Sequence, residues 1–155
     1  PPDERPWLVL GFGGPPDARR RAVAAFGDAA AWATIVHPAA WVSPSAVVEP
    51  GAVVLAGAVV NAGARVGAHA IVNTGVVVEH DVRVGAFAHL APGVVTGGGA
   101  TIGEDAMVGL GAAIRDHVTV GSHAVVAMGA VVVDGVPDGA LVLGVPARTR
   151  GTGGG

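Results

Sequence analysis

His80 is the residue best suited to proton transfer, because it stands between two carboxylates in Glu79-His80-Asp81. An unperturbed imidazole titrates near neutral pH, so it can accept a proton and return it. A neighbouring carboxylate raises the basicity of the ring and fixes its tautomer. Adjacent strand residues point to opposite faces, so this pairing requires a corner of the chain or a contact between subunits. The pattern predicts a general base, against the alternative of a solvated surface histidine.

The element that must position His80 is a six-residue repeat, which runs from Val42 to Val136 without insertion or deletion. Its first position occurs sixteen times and is aliphatic except at Thr96, while its fifth position is always Ala or Val. A strict hexapeptide period is typical of a parallel β-helix, in which three units close one triangular coil. The sequence therefore predicts an all-β solenoid, a parallel β-helix of about five coils.

The repeat also serves as a register, because residues about 18 apart lie above one another in successive coils. Gly98 is thereby predicted to lie one coil beyond His80, within the run Gly97-Gly98-Gly99. Glycines leave backbone N–H groups accessible, so this run is a candidate oxyanion site, with a tolerated flexible turn as the alternative. Thr96, just before the run, is then a candidate for the edge of the same site.

His89 follows His80 by half a coil, so the two histidines cannot meet within one chain. They can meet across a subunit boundary. The spacing thus predicts active sites between protomers.

Composition limits the class of protein. The 155 residues, 51% of them hydrophobic, suffice for one compact unit. The absence of cysteine excludes disulfides and thiolate metal sites, and a net charge of −3 argues against nucleic acid as a partner. The apolar runs are short and interrupted, so neither a transmembrane segment nor a signal peptide is predicted. We expect a cytoplasmic protein with no membrane partner.

The part of the chain before Trp41 follows a different pattern. Residues 7–12 read as a buried strand, a helix is predicted from Pro15 to about Phe26, and residues 34–36 read as a second strand. The segment Gly11-Phe12-Gly13-Gly14 lacks the spacing of a dinucleotide-binding loop, so a packing role is favoured over phosphate binding. We predict a β-α-β fragment at 1–40, a remnant of a larger sugar-nucleotide-binding domain, then the β-helix at 41–136 and a cap and tail at 137–155.

Several motifs resemble one family. They are Asn73-Thr74-Gly75, Val78-Glu79-His80-Asp81, His89-Leu90-Ala91-Pro92-Gly93 and Gly144-Val145-Pro146-Ala147-Arg148. The chain is similar to the bacterial sialic-acid O-acetyltransferases and sugar-nucleotide N-acetyltransferases over about residues 7–148. The resemblance implies a left-handed β-helix that forms a homotrimer and transfers acetyl groups from acetyl-CoA. The acceptor would be an amino or hydroxyl group of a sugar or sugar nucleotide.

The resemblance also implies roles for single residues. Asp81 would orient the catalytic His80, Gly98 would contact the thioester oxygen, and His89 would help to bind the acyl donor or the acceptor. Asn73 would face the acceptor sugar, or form a structural pair with Asn61. The cofactor residues implied in this way are Leu110, Gly111, Met128 and Gly129 at the pantetheine and Arg148 near the phosphates or adenine of acetyl-CoA, where Arg148 has the alternative of closing the last coil.

Two other functions remain open at this level. The β-helix also occurs in gamma-class carbonic anhydrases, which hold zinc with three histidines, and His80, His117 and His123 are the set to consider. The step from 80 to 117 is one residue out of register, and His117 and His123 occupy the same position on consecutive sides. No metal is therefore expected, and His69, His117 and His123 are interpreted as solvent-facing corners. The second alternative is a non-catalytic trimeric scaffold.

Overall fold

The computed structural model describes residues 5–11, 13–14 and 16–150, and residues 35–143 form a parallel β-solenoid of three faces. We name the three faces by the character or the surroundings of their outer side chains. The covered face, which underlies the N-terminal segment, consists of β3 (Ile35–Val36), β6 (Val53–Val54), β9 (Ile71–Val72), β12 (His89–Leu90), β15 (Met107–Val108), β18 (Val125–Val126) and β20 (Leu141–Leu143). Antiparallel β21 (Arg148–Thr149) follows β20 at its end.

The other two faces differ in polarity. The apolar face consists of β4 (Trp41–Val42), β7 (Val59–Val60), β10 (Val77–Val78), β13 (Val95–Thr96), β16 (Ala113–Ile114) and β19 (Val131–Val132). The polar face, whose outer side chains include Arg65 and Arg83, consists of β5 (Val47–Val48), β8 (Arg65–Val66), β11 (Arg83–Val84), β14 (Thr101–Ile102) and β17 (Thr119–Val120).

Stacking follows the register that the repeat predicts. Val78 pairs with Thr96, and Thr96 pairs with Ile114, so each coil consists of three units of the repeat. The first and fifth positions of the repeat point inward and form one buried column of Val, Leu, Ile and Ala. Short strands of this kind are stable because β-branched side chains pack in ladders on both neighbouring coils.

The solenoid has about six turns, one more than the sequence predicted. Ile35–Val36 pairs with Val53–Val54 and so forms a first rung before Val42. At the other end, Leu141 pairs with Val125 after a shortened final turn.

Each corner is made by the fourth position of the repeat, which has positive φ from Gly51 to Gly129. The glycine edge, between the covered and apolar faces, carries Gly57, Gly75, Gly93, Gly111 and Gly129. The histidine edge, between the apolar and polar faces, includes Gly63, Asp81, Gly99 and His117, and the docking edge, between the polar and covered faces, includes His69, Phe87, Asp105 and His123.

The N-terminal segment contains β1 (Trp7–Leu8), α1 (Pro16–Phe26), a 3₁₀ turn (Gly27–Ala29) and β2 (Ala31–Trp32). The helix is confirmed, but the partner of β1 is β2 and not the strand expected at 34–36, because Ile35–Val36 joins the solenoid. Phe12 and Pro15 of the predicted strand and helix lie outside the described residues. The division at 40 and 136 stays a prediction.

No helix among the described residues is both long enough and apolar enough to span a bilayer.

Candidate active site

His80 and Asp81 form a pair on the histidine edge, within one chain. His80 Nδ1 lies 3.0 Å from Asp81 Oδ2, and Asp81 has a φ of +60°. This left-handed turn brings adjacent side chains together, which an extended strand would not allow. The backbone N–H of His80 donates to Glu79 Oε2 at 3.1 Å. Because Asp81 accepts from Nδ1, the lone pair of Nε2 is free to take a proton.

The hydrogen bond to Asp81 raises the pKa of His80 above its ordinary value of 6.5, and the charges of Asp81 and Glu79 act in the same direction. A general base must be unprotonated, so kcat/KM should fall toward acid with a midpoint above pH 6.5.

We expect Asp81→Asn to move that midpoint to lower pH and to reduce the plateau of kcat/KM by about tenfold or more, because the ring loses its orienting carboxylate. Asparagine tolerates the left-handed backbone, so the corner is retained. The measurement is kcat/KM from pH 5.5 to 9. Glu79→Gln is the control and should give a smaller displacement, and an unmoved midpoint in Asp81→Asn would contradict the pairing.

Gly98 lies against the imidazole, as the register predicts. A Cβ built on Gly98 would stand 2.4 Å from His80 Nε2, and the N–H of Gly99 donates to His80 O at 2.9 Å. Gly98 is therefore needed for space beside the ring. A Cβ on Gly97 would clash with the backbone of Asp116, just as a Cβ on Gly85 would clash with Glu104. Glycine is therefore required at Gly97 by the close packing of successive coils, as elsewhere in the solenoid.

The backbone N–H at the third position of the repeat makes no hydrogen bond to a neighbouring coil's backbone. At Ala68, Thr74, His80 and Ser122 a side-chain oxygen accepts this N–H. At Gly98, as at Ala62 and Ala86, no acceptor is present among the described residues. The Gly98 N–H is thus a donor available to a ligand beside His80 Nε2.

Thr96, the polar residue of the core column, supports the turn that carries His80. Its side chain is fully buried, its Oγ1 accepts the N–H of Glu79 at 3.2 Å and it donates to Val77 O at 3.2 Å. At the same position from Ser43 to Ala127, the N–H of the other turns meets a backbone carbonyl, as when Asn61 N–H donates to Val78 O. The Thr96 hydroxyl therefore holds the backbone at Val77 and Glu79, just before His80.

We expect Thr96→Val to lower the free energy of unfolding by about 0.5–1.5 kcal/mol, because the Glu79 N–H loses the hydroxyl and must turn to the backbone carbonyl of residue 96, as in the other turns. Chemical denaturation followed by circular dichroism measures this. Thr96→Ser keeps the hydroxyl and should retain the bond to Glu79. Equal losses in the two variants would contradict the role of the hydroxyl.

His89 and Asn73 form a second polar pair, on the covered face beside the glycine edge. Asn73 Oδ1 accepts the N–H of Thr74 at 2.8 Å, so its amide nitrogen faces His89 Nε2 at 3.2 Å. His89 is buried, and burial followed by the charge of Arg19 lowers its pKa. When the Asn73 amide donates to Nε2, a neutral ring carries its proton on Nδ1, and that atom has no partner among the described residues.

An apolar cavity of about 430 Å³ opens beside this pair, between the covered face and the N-terminal segment. His89 and Asn73 are its polar end. Its other lining residues are Val9, Leu10, Gly11, Gly13, Ile35, Val53, Leu55 and Ile71. Sequence reasoning missed this cavity, although the run of glycines at 11–14 was its available signal.

Leu110, Gly111, Met128 and Gly129 lie along the glycine edge. Leu110 and Met128 are exposed, with 53% and 73% of their surface accessible. Arg148 lies elsewhere, at the end of the solenoid, where its guanidinium is 3.7 Å from Asp134. The structure thus gathers the implied cofactor residues along one edge, except Arg148, while His80, Asp81 and Gly98 lie along the next edge.

The histidines considered for zinc are dispersed. His117 lies on the histidine edge and His123 on the docking edge, and both are exposed. The described part of the chain holds no group of three or more metal-ligating side chains. His69 is not the solvent-facing corner that was expected, because it is buried between Phe87 and Trp32.

Comparison with known proteins gives three informative structural neighbours. GDP-perosamine N-acetyltransferase from Caulobacter crescentus, solved with CoA and GDP-perosamine, is 38% identical with a TM-score of 0.90, over 94% of this chain and 70% of that one. The acetyltransferase domain of PglB from Neisseria gonorrhoeae, solved with acetyl coenzyme A, is 40% identical with a TM-score of 0.86, over 92% and 69%. WeeI from Acinetobacter baumannii, at 19% identity, a TM-score of 0.74 and coverage of 97% and 73%, shows the fold alone.

No protein-family model matches the chain, and neither does a curated protein sequence. Two of the solved neighbours nevertheless share more than a third of their aligned residues with it over most of both chains. At that identity and coverage, the chain belongs to the hexapeptide-repeat sugar acetyltransferases, the family that its Glu-His-Asp and His89 motifs resemble.

Proposed function

We propose that this protein transfers an acetyl group from acetyl-CoA to the amino group of a nucleotide-linked amino sugar. The observation that carries the proposal is the His80–Asp81 pair with Gly98 against Nε2, where the Gly98 N–H has no acceptor among the described residues. Two related acetyltransferases were solved with CoA or acetyl coenzyme A, and one of them also with GDP-perosamine. A hydroxyl acceptor is the second candidate, because the same base can serve an alcohol.

In the proposed reaction, the acceptor nitrogen attacks the thioester carbonyl carbon and His80 Nε2 takes its proton. The carbonyl oxygen becomes an oxyanion, which the Gly98 N–H stabilises. The C–S bond then breaks, and the leaving thiolate receives the proton from His80. The products are an amide and free CoA, with no acyl-enzyme. Asp81 holds the ring in the required tautomer throughout.

We propose that each site lies between two chains of a homotrimer. His80 is on the histidine edge, whereas His89 and Asn73 are beside the glycine edge, on the far side of the apolar face. The outer side chains of the apolar face include Trp41 and Val95, which are 53% and 45% exposed. Packing of this face in an assembly would bury them and bring the histidine edge of one chain to the glycine edge of the next.

In that arrangement the exposed Leu110 and Met128, with Gly111 and Gly129, would contact the pantetheine arm of acetyl-CoA. His89 Nδ1–H would donate to an oxygen of the acetyl group or of the acceptor, with Asn73 fixing its tautomer. Arg148 would reach the phosphates only if it left Asp134. We place the reaction in the cytoplasm, where acetyl-CoA and sugar nucleotides are available.

The test of the activity is release of free CoA from acetyl-CoA in the presence of a panel of nucleotide amino sugars, with product mass measured for each. A gain of one acetyl group on an amine supports the proposal. Failure to acetylate any member of the panel would overturn the acceptor assignment, and zinc content with carbonate dehydration on the same sample decides the anhydrase alternative.

The test of the shared site is complementation. His80→Ala and His89→Ala chains should each be weakly active alone. Denaturing and refolding them together should restore part of the activity, because some sites then combine His80 from a His89→Ala chain with His89 from a His80→Ala chain. Light scattering gives the oligomeric state. Absence of any recovery in a mixed trimer would contradict a site that combines His80 of one chain with His89 of another.

A further inference from the structure

The docking edge is built from residues that the corner itself disfavours. His69, Phe87, Asp105 and His123 all have φ between 56° and 59°, and each follows the previous one by a full coil. A non-glycine residue in this region is strained, least for Asp and His and most for a bulky residue such as Phe87, and the strain persists where surrounding contacts hold it. On the glycine edge the same position is glycine from Gly57 to Gly129. The side chains of the docking edge therefore need an explanation that the repeat does not provide.

Helix α1 supplies that explanation, because two consecutive arginines join it to this edge. Arg20 Nε lies 2.8 Å from both carboxylate oxygens of Asp105, and its guanidinium stands 4.3 Å from the centre of the Phe87 ring. Arg19 is fully buried and donates to His69 O at 2.9 Å and to Phe87 O. The edge of Trp32 meets the His69 ring with their centres 5.0 Å apart.

The Asp105 carboxylate is 2% exposed and the Arg20 side chain 40% exposed, so the ion pair is partly shielded from water. A planar guanidinium that is paired on one side and stacked on Phe87 has a defined orientation as well as a defined place. These contacts fix the start of α1 relative to the solenoid.

The residues just before α1 reach the candidate site. A Cβ built on Gly13 would stand 3.3 Å from His89 Cε1 and 3.9 Å from His89 Nδ1, and Gly13 lines the apolar cavity. Gly14, next to it, lines a second cavity with Asp105 and His123. The N-terminal segment is therefore one wall of the compartment that contains His89, and α1 sets the place of that wall.

We propose that Arg20, held by Asp105 and Phe87, is a positioning residue that keeps the Gly13 segment against His89 and so shapes the acceptor side of the site. This inference rests on the proposed function for its kinetic consequence. It gives the docking edge a role in recognition of the acceptor, while acetyl-CoA binds along the glycine edge, away from α1. Loss of the Arg20–Asp105 contact should then raise the KM of the acceptor without raising the KM of acetyl-CoA.

The kinetic experiment compares Arg20→Met with Arg21→Met, its exposed neighbour on the same helix. We expect Arg20→Met to raise the KM of the amino-sugar acceptor about tenfold or more, with the KM of acetyl-CoA within about twofold of wild type. Arg21→Met should leave both constants unchanged. Asp105→Asn tolerates the corner backbone and should reproduce the effect of Arg20→Met, and the double variant should add little to either. A parallel rise in both KM values, or no rise in either, would overturn the positioning role.

A second measurement does not need an active enzyme. Diethylpyrocarbonate modifies accessible neutral imidazoles, and peptide mass spectrometry can compare the rate at His89 with that at exposed His80 in the same sample. We expect this ratio to rise about threefold or more in Arg20→Met and to stay constant in Arg21→Met. If wild type acetylates nothing, the proposed function fails, while this ratio still decides the inference. An unchanged ratio in folded Arg20→Met would overturn it.

Discussion

Replacement of His80 by alanine is expected to lower kcat by about 10²–10⁴, the range that general-base catalysis supplies. The His80 ring supplies the atoms nearest to a Cβ built on Gly98, so its removal takes away the base placed to receive the acceptor proton. The affinity for acetyl-CoA should be nearly unchanged, because Leu110 and Met128 lie along the glycine edge. Steady-state kinetics and calorimetric titration with acetyl-CoA measure the two quantities separately.

The matched control for His80→Ala is His117→Asn, which changes a histidine on the same edge. His117 stands over Gly99, where a built Cβ would be 2.6 Å from its Nδ1, so the two rings lie on opposite sides of the glycine run. Asparagine keeps the φ of +56° at this corner accessible. Full turnover in His80→Ala, or an equal loss in His117→Asn, would remove His80 from the role of base.

The repeat made part of this site predictable. A constant period converts sequence distance into position, so the pairing of His80 with Gly98 follows from their places in the repeat alone. The contact between His80 and Asp81 was left as a choice between a corner and a subunit boundary. The left-handed φ of Asp81 decides for the corner, and the available signal was its register with Gly63 and Gly99, one coil to either side.

The ends of the solenoid were harder to predict, for two different reasons. Val36 and Ala40 continue the repeat in register before Val42. They were assigned to the N-terminal fragment, so the predicted number of turns was one too low. After Val136 the period itself breaks, since Val125 pairs with Leu141 and not with Leu143, where a full coil would end. Stacking tolerates this shortened turn because no further coil must follow in register.

The hexapeptide period does not predict the contacts of the N-terminal segment, which lies outside the repeat. Arg20 and Asp105 are far apart in the chain, and nothing in the local pattern at either position indicates the other. The burial of His69 depends on the same docking, which explains why a repeat corner was interpreted as solvent-facing. Side-chain contacts between a repeat and a non-repeating segment are set by tertiary packing alone.

Gly98→Ala should cost about 10²-fold in kcat while leaving the fold almost intact. The added methyl would stand 2.4 Å from His80 Nε2, so the imidazole must rotate away, and the atom that takes the proton leaves its place beside the Gly98 N–H. The ring is exposed enough to move, so the midpoint of thermal unfolding should change by only a few degrees. Gly135→Ala is the control, since only Thr119 O at 3.8 Å lies near a Cβ built there. If Gly98→Ala is unstable, kcat measured at a lower temperature, where the chain is folded, separates stability from chemistry. Normal turnover in a folded Gly98→Ala chain would show that neither the ring position nor the N–H of Gly98 matters to the reaction.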